Sequence, residues 1–117
     1  MAGVAAELQH GEPGGSSGSD STHLQRLSIK QGDRTIVLRL EEIVWIEAQD
    51  YCVTIHSTRG SHLVRASLTS LEGRLAPETF VRTHRTAIVN LTHVRETLDR
   101  DGLRLVLSEG TQVGVSR

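Results

Sequence analysis

A mostly-β domain carrying one short helix is the fold class this sequence predicts, on three observations. Apolar residues alternate with polar ones in short runs that turn residues interrupt. One stretch alone changes to helical spacing. Aromatic residues make up only 3% of the 117, so the core must be aliphatic. In order, Leu27 and Ile29 alternate before a Gly32-Asp33 turn, and Ile36, Leu38 and Leu40 alternate after it. Ile43–Ala48 continues with Val44 and Ile46 on one face and Trp45 and Glu47 on the other, up to an interruption at Gln49-Asp50. Tyr51, Val53 and Ile55 then line one face, with Cys52, Thr54 and His56 opposite. Thr58-Arg59-Gly60 reads as a hairpin turn into the strand His62–Arg65. Leu68, Leu71 and Leu75 stand at i, i+3 and i+7. That spacing predicts a helix of about two to three turns, capped by Ser67 and stopped at Ala76-Pro77. Strand signals resume after Phe80, in Ala87–Asn90, Val94–Asp99, the Leu103/Leu105/Leu107 run behind the hairpin dipeptide Asp101-Gly102, and Val113/Val115 behind Glu109-Gly110. The expected total is nine or ten strands. Trp45 and Phe80 read as core residues.

The chain divides at about residue 24. Residues 1–23 hold five glycines and four serines, and Gly11–Ser21 contains no apolar residue, so the segment is expected to be a disordered linker or tail. The foldable domain is 24–117. The whole chain has 13 Lys+Arg against 14 Asp+Glu, a formal net charge of -1. Glu7, Glu12 and Asp20 belong to the tail and no basic residue does, so 13 basic groups stand against 11 acidic ones in the domain, a charge of +2. Twelve of the 13 are arginine, the side chain suited to forked contacts with phosphate and guanine.

Several function classes are disfavoured. No apolar run exceeds four residues, so no membrane segment is expected. The first basic residue is Arg26, which does not suit a secretory signal, and the single Cys52 fits a reducing, cytoplasmic compartment. No enzyme, cofactor or metal is expected. The only Gly-rich stretch, Gly14–Gly18, has no strand before it and no lysine after it, and no serine sits on a nucleophile elbow. His56 and His62 flank one turn and could face each other across it, but two imidazoles without a third ligand do not hold a metal.

One family accounts for the ordered residues. Ile43–Ala48 followed by Tyr51, then Leu63–Leu68 with Leu71-Glu72, resemble the opening and the strand-into-helix segment of the LytTR DNA-binding domain family. Phe80-Val81-Arg82-Thr83-His84-Arg85-Thr86-Ala87-Ile88-Val89-Asn90 is close to that family's F-x-R-x-H-R-S-x-I-V-N signature, with Thr86 keeping the hydroxyl of the usual serine. Leu105–Ser108, Gly110-Thr111 and Val115-Ser116-Arg117 resemble its closing segment. The resemblance spans about residues 25–117. It implies an elongated stack of small antiparallel sheets with one short helix. It also implies sequence-specific binding of double-stranded DNA by loops in the major groove, as the output domain of a transcriptional regulator. Further implied partners are a second copy on an adjacent half-site and an upstream receiver or sensor domain. The alternative is a protein-interaction module on the same fold.

The residues expected to bind DNA lie in two polar gaps and at the end of the chain. Gln49, Asp50 and Tyr51 form one gap: Gln49 suits adenine, and Tyr51 divides between contact and core. His84, Arg85 and Thr86 form the other. Arg85 could fork onto guanine O6 and N7, and His84 could meet a phosphate or orient the loop from inside. Arg117 could meet the backbone or a base. Asn90, at a strand end, reads as a turn residue rather than a DNA contact.

Overall fold

The structure is a computed structural model, and it describes residues 6–8 and 25–116. Strands are β1 (Ala6–Leu8), β2 (Arg26–Gln31), β3 (Arg34–Arg39), β4 (Ile43–Gln49), β5 (Cys52–Ser57), β6 (Gly60–Arg65), β7 (Phe80–His84), β8 (Ala87–Asn90), β9 (Val94–Asp99), β10 (Leu103–Leu107) and β11 (Gln112–Gly114). One helix, α1 (Leu68–Glu72), lies between β6 and β7. The mostly-β class with a single short helix is therefore the architecture found, and ten of the strands fall in the expected domain.

Hydrogen bonding orders the strands β3-β2-β1-β6-β5-β4-β8-β7 in one sheet and β11-β10-β9 in a second. Every pairing is antiparallel except β1 with β6. β1 corrects the expectation of a structureless tail for three residues: Ala6–Leu8 fills the gap between the β2–β3 hairpin and β6, satisfying a strand edge on each side. The remainder of the expected linker lies outside the described residues.

Two apolar clusters lie on the two faces of β4 and β8. The larger joins Leu27, Ile29 and Leu38 of the first hairpin to Ile43, Ile46, Val53, Ile55, Val64 and Ile88, closed by Leu68, Leu71, Leu75 and Phe80. The smaller packs Val44, Ala87 and Val89 against Leu105, Leu107 and Val113 of the second sheet. β8 is consequently buried along its whole length, which is why Ala87, Ile88 and Val89 form a continuous apolar run rather than an alternating one. The Val44/Ile46 face predicted for β4 does not hold. A register shift between Ile43 and Trp45 turns Val44 to the second cluster and leaves Ile43 and Ile46 on the first.

The helix is shorter than its leucine spacing predicts. Ser67 caps it, its Oγ accepting from the Ser70 N–H at 3.0 Å, but Gly73 ends it after five residues. Leu75 is still fully buried, reached by turn rather than by helix. Asp101-Gly102 forms the expected tight hairpin with both φ values positive, 59° and 111°, where glycine carries no steric penalty and Asp a small one. The second sheet is tied to the first by His93, whose Nε2–H donates to the Glu41 carbonyl at 3.0 Å while Nδ1 lies 3.0 Å from Ser108 Oγ.

Candidate nucleic-acid interface

The two polar gaps become two hairpin tips. Gln49 opposes Cys52, leaving Asp50 and Tyr51 as the β4–β5 turn. Asp50 sits at φ 53°, a left-handed conformation that Asp tolerates better than most residues. Tyr51 is 88% exposed, so its division between core and contact is resolved against the core. The second tip, Arg85-Thr86, joins β7 to β8, and both of its residues are exposed.

The fold brings these tips side by side. β4 pairs with β8 through Glu47 and Ala87, and one residue further the Ala48 N–H donates to the Thr86 carbonyl at 2.9 Å. Both tips thus lie at the same end of the sheet, joined by a backbone hydrogen bond. Loops so placed stand on a rigid scaffold and have little freedom to lose on binding a ligand.

Within the second tip, His84 organises the turn. Its Nδ1 accepts the Thr86 N–H at 3.1 Å, with Thr86 Oγ1 2.9 Å from the same nitrogen. A ring nitrogen that accepts from a backbone amide carries no proton, so the imidazole hydrogen sits on Nε2 as a donor. Of the two roles expected for His84, orientation of the loop is visible in the geometry.

Arg82 was not singled out by sequence reasoning, and it does more in the turn than any residue that was. Its Nε donates to the His84 carbonyl at 3.3 Å and its Nη2 to the Arg85 carbonyl at 2.7 Å. Its Nη1 meets Glu72 Oε1 at 2.9 Å and Thr69 Oγ1 at 3.4 Å, both on α1. One planar fork therefore holds the tip backbone to the helix. The available signal was its place in the Arg82-Thr83-His84-Arg85 run, although a register shift sets Arg82 opposite Ile88 and His84 opposite Ala87, on different faces of the strand.

The remaining expectations divide. Gln49 is exposed at the end of β4, its Oε1 accepting a long 3.5 Å bond from Thr54 Oγ1. Arg117 lies outside the described residues. Ser116, just before it, donates its N–H to the Thr83 carbonyl at 2.8 Å and so reaches β7 near the second tip. Asn90 is fully buried, donating to the Ile43 carbonyl at 2.8 Å and accepting from the Thr92 N–H at 2.9 Å, which is the structural turn role expected of it.

His56 and His62 do not face each other: His56 opposes Ser61 and Ile55 opposes His62, so the two rings occupy opposite faces. The turn holds only Thr58 and Arg59, which offsets the pair by one residue. His56 stacks on Trp45 at 4.8 Å, its Nε2–H donating to Glu47 Oε2 at 3.0 Å, and so acts as a packed surface residue. Burial, reinforced by the Arg59 charge, pushes the His62 pKa below its ordinary 6.5.

Comparisons with known proteins bear on the family and the fold. The family model described as the LytTr DNA-binding domain matches residues 33–117. A solved LytTr DNA-binding domain of a Bacillus cereus methyl-accepting/DNA response regulator superposes with a TM-score of 0.72 at 25% identity, covering 80% of this chain and 87% of that one. Among curated proteins, the sensory transduction protein LytT of Bacillus anthracis is 29% identical over 103 residues, 86% of this chain and 42% of that protein. The heme-containing CO-sensing transcriptional regulator RcoM 1 of Paraburkholderia xenovorans is 34% identical over 110 residues, 92% of this chain and 41% of that protein. The chain spans about two-fifths of the length of these relatives.

Proposed function

The chain belongs to the LytTr DNA-binding domain family, and from that membership we propose that it binds double-stranded DNA sequence-specifically through its two joined hairpin tips, as the DNA-reading part of a transcriptional regulator. The observation that carries the reading is the Ala48–Thr86 backbone bond, which sets Gln49-Asp50-Tyr51 and His84-Arg85-Thr86 along one edge. That edge offers chemistry matched to the major groove. Arg85 supplies a fork for guanine O6 and N7, Gln49 a donor–acceptor pair for adenine, and Asp50 an acceptor for the cytosine amino group. The His84 Nε2–H and the Thr86 hydroxyl suit phosphate oxygens, which set position rather than sequence. Arg117 is assigned to the DNA backbone.

Nothing in this reading requires a cofactor, metal or catalytic residue. Among the described residues no helix is long and apolar enough to cross a membrane. The names of the relatives attach sensing to much longer proteins. In the same reading, a sensor or receiver partner governs this domain, two copies occupy adjacent half-sites, and the setting is the cytoplasm.

The test is selection of bound duplexes from a random pool, followed by titration of the selected duplex, a single-base variant and a scrambled duplex. Arg85→Ala is expected to lose about 1–3 kcal/mol of discrimination at one base pair. Equal weakening on all three duplexes would make Arg85 a phosphate contact, and failure to enrich any sequence would overturn the reading.

A further inference from the structure

We propose that Lys30 and Arg65 extend the DNA-binding edge, gripping the phosphate backbone of the same duplex beyond the two hairpin tips. The proposal rests on the DNA-binding reading above and adds a second contact region to it.

The strand registers carry the argument, because residues directly opposed in a sheet share a face. Lys30 opposes Glu7, and Glu7 opposes Arg65. Arg65 lies one step beyond the Val53–Val64 pair, which sets it beside Cys52, and Cys52 opposes Gln49. One row therefore runs from the β2–β3 hairpin through β1, β6 and β5 to the first candidate tip. Its chain neighbours Ile29 and Val64 are fully buried on the core side, so alternation turns Lys30 and Arg65 outward, where both are exposed. With strands about 4.8 Å apart, Lys30 stands about 10 Å from Arg65, and Arg65 about 10 Å from Gln49. From Lys30 to His84 the row crosses about 29 Å along the curve of the sheet, approaching the ~34 Å of one duplex turn.

Other basic residues have different positions or tasks. Arg59 donates to the Val37 carbonyl at 2.8 Å and faces Glu42, and Arg82 is occupied by the second tip and α1. Arg26 and Arg39 oppose each other on the same outward face as Lys30, but at the far end of their hairpin. Arg26 is about 13 Å from Lys30 along β2, at the hairpin end where the Leu40 N–H donates to the Gln25 carbonyl and the Arg39 N–H to Glu42, beside the start of β4 and not beside the tip at its other end. It serves as an internal control, because it has the same charge and the same face but is off the edge.

The occupant that fits is duplex backbone. Lys30 and Arg65 flank Glu7 on the row, so two positive groups stand against one acid and the row stays net positive where it runs into the tips; that balance suits a polyanion, and neutralised phosphates release counterions. The experiment measures affinity of the full chain for the selected and the scrambled duplex across a salt series, with thermal melts to verify folding. Lys30→Ala and Arg65→Ala are each expected to weaken both duplexes by the same factor, about 3- to 10-fold, and to reduce the log–log salt slope by about 1. Arg26→Ala should change neither. Lys30→Gln and Arg65→Gln repeat the test with the side-chain bulk kept. If the slopes of these variants equal that of the parent while Arg85→Ala still loses base preference, the extended edge is wrong and the DNA reading stands. If Arg26→Ala lowers the slope as much as Lys30→Ala, bulk charge rather than the edge is responsible and the proposal fails. If the parent binds no duplex in a salt-dependent way, the DNA reading fails with it.

Discussion

Arg82 shows how one side chain can set the shape of a hairpin tip without itself being free to contact a ligand. Its guanidinium is half-buried between the carbonyls of His84 and Arg85 and the α1 groups of Glu72 and Thr69. Lysine keeps the charge but lacks the fork, so Arg82→Lys should lose at least one of the two carbonyl bonds. The expected outcome is weaker binding to the selected duplex with the salt slope unchanged, because a positioning residue displaces no counterions. A slope reduced by about 1 would make Arg82 a phosphate contact instead. Asn90 is the buried counterpart. Removing its amide strands the Ile43 carbonyl and uncaps the turn at Leu91, so Asn90→Ala should cost about 2–4 kcal/mol in denaturant unfolding. His62 supplies a pH dependence. Its pKa is lowered in the folded state, so the unfolded chain binds more protons in the window below the ordinary 6.5. Its contribution to stability is present above 6.5 and is lost as pH falls through the folded value. His62→Asn should flatten the fall in denaturation midpoint between about pH 7 and pH 5, and an unchanged profile would place the titration elsewhere.

At the level of elements, α1 and β8 explain how so short a chain supports a rigid edge. α1 has only five residues, far below the length at which an isolated helix is stable in water, so it exists by packing. Leu68 and Leu71 hold it to the larger cluster, while Glu72 on its outer side meets Arg82. Leu71→Ala should therefore cost about 2–5 kcal/mol, the range for a buried leucine with incomplete collapse around it, read by denaturant unfolding. A loss within about 0.5 kcal/mol would place the leucine outside the core. β8 has an apolar cluster on each face, which makes it the stiffest support the second hairpin tip could have. Sequence periodicity correctly marks α1 by its leucines but misjudges its length. The same three leucines are buried whether the third lies on the helix or on the turn after Gly73.

Across the whole molecule, strand order gathers residues distant in sequence at one edge. Gln49 and Thr86 are 37 positions apart, yet the tips they belong to are joined through Ala48 because β4 pairs with β8 rather than with its neighbour β3. β1 completes the larger sheet by linking the first hairpin to β6. Truncation to residue 24 removes that link and is expected to speed amide exchange in β2 and β6 while leaving β8 protected. Unchanged protection in β2 and β6 would show that the β1 pairing contributes nothing to the stability of the sheet.

Local alternation, turn chemistry and one leucine stripe were enough to settle the class of fold and nearly all of its strands, because a two-residue period and an Asp-Gly turn are consequences of backbone geometry alone. The second tip was marked by the polar gap Thr83–Thr86 between Val81 and Ala87, and separately by the resemblance to a family signature that spans it. Pairing partners are a different matter, since a strand's edge carries the same N–H and C=O groups whatever its sequence. Hence the β4 register shift and the union of the two tips follow from tertiary packing, whereas the opposite faces of His56 and His62 follow from a local turn of two residues, one fewer than the Thr58-Arg59-Gly60 reading. Tertiary packing also sets the role of Arg82, whose four hydrogen-bond partners lie on a helix and a turn that come together only when both clusters are closed.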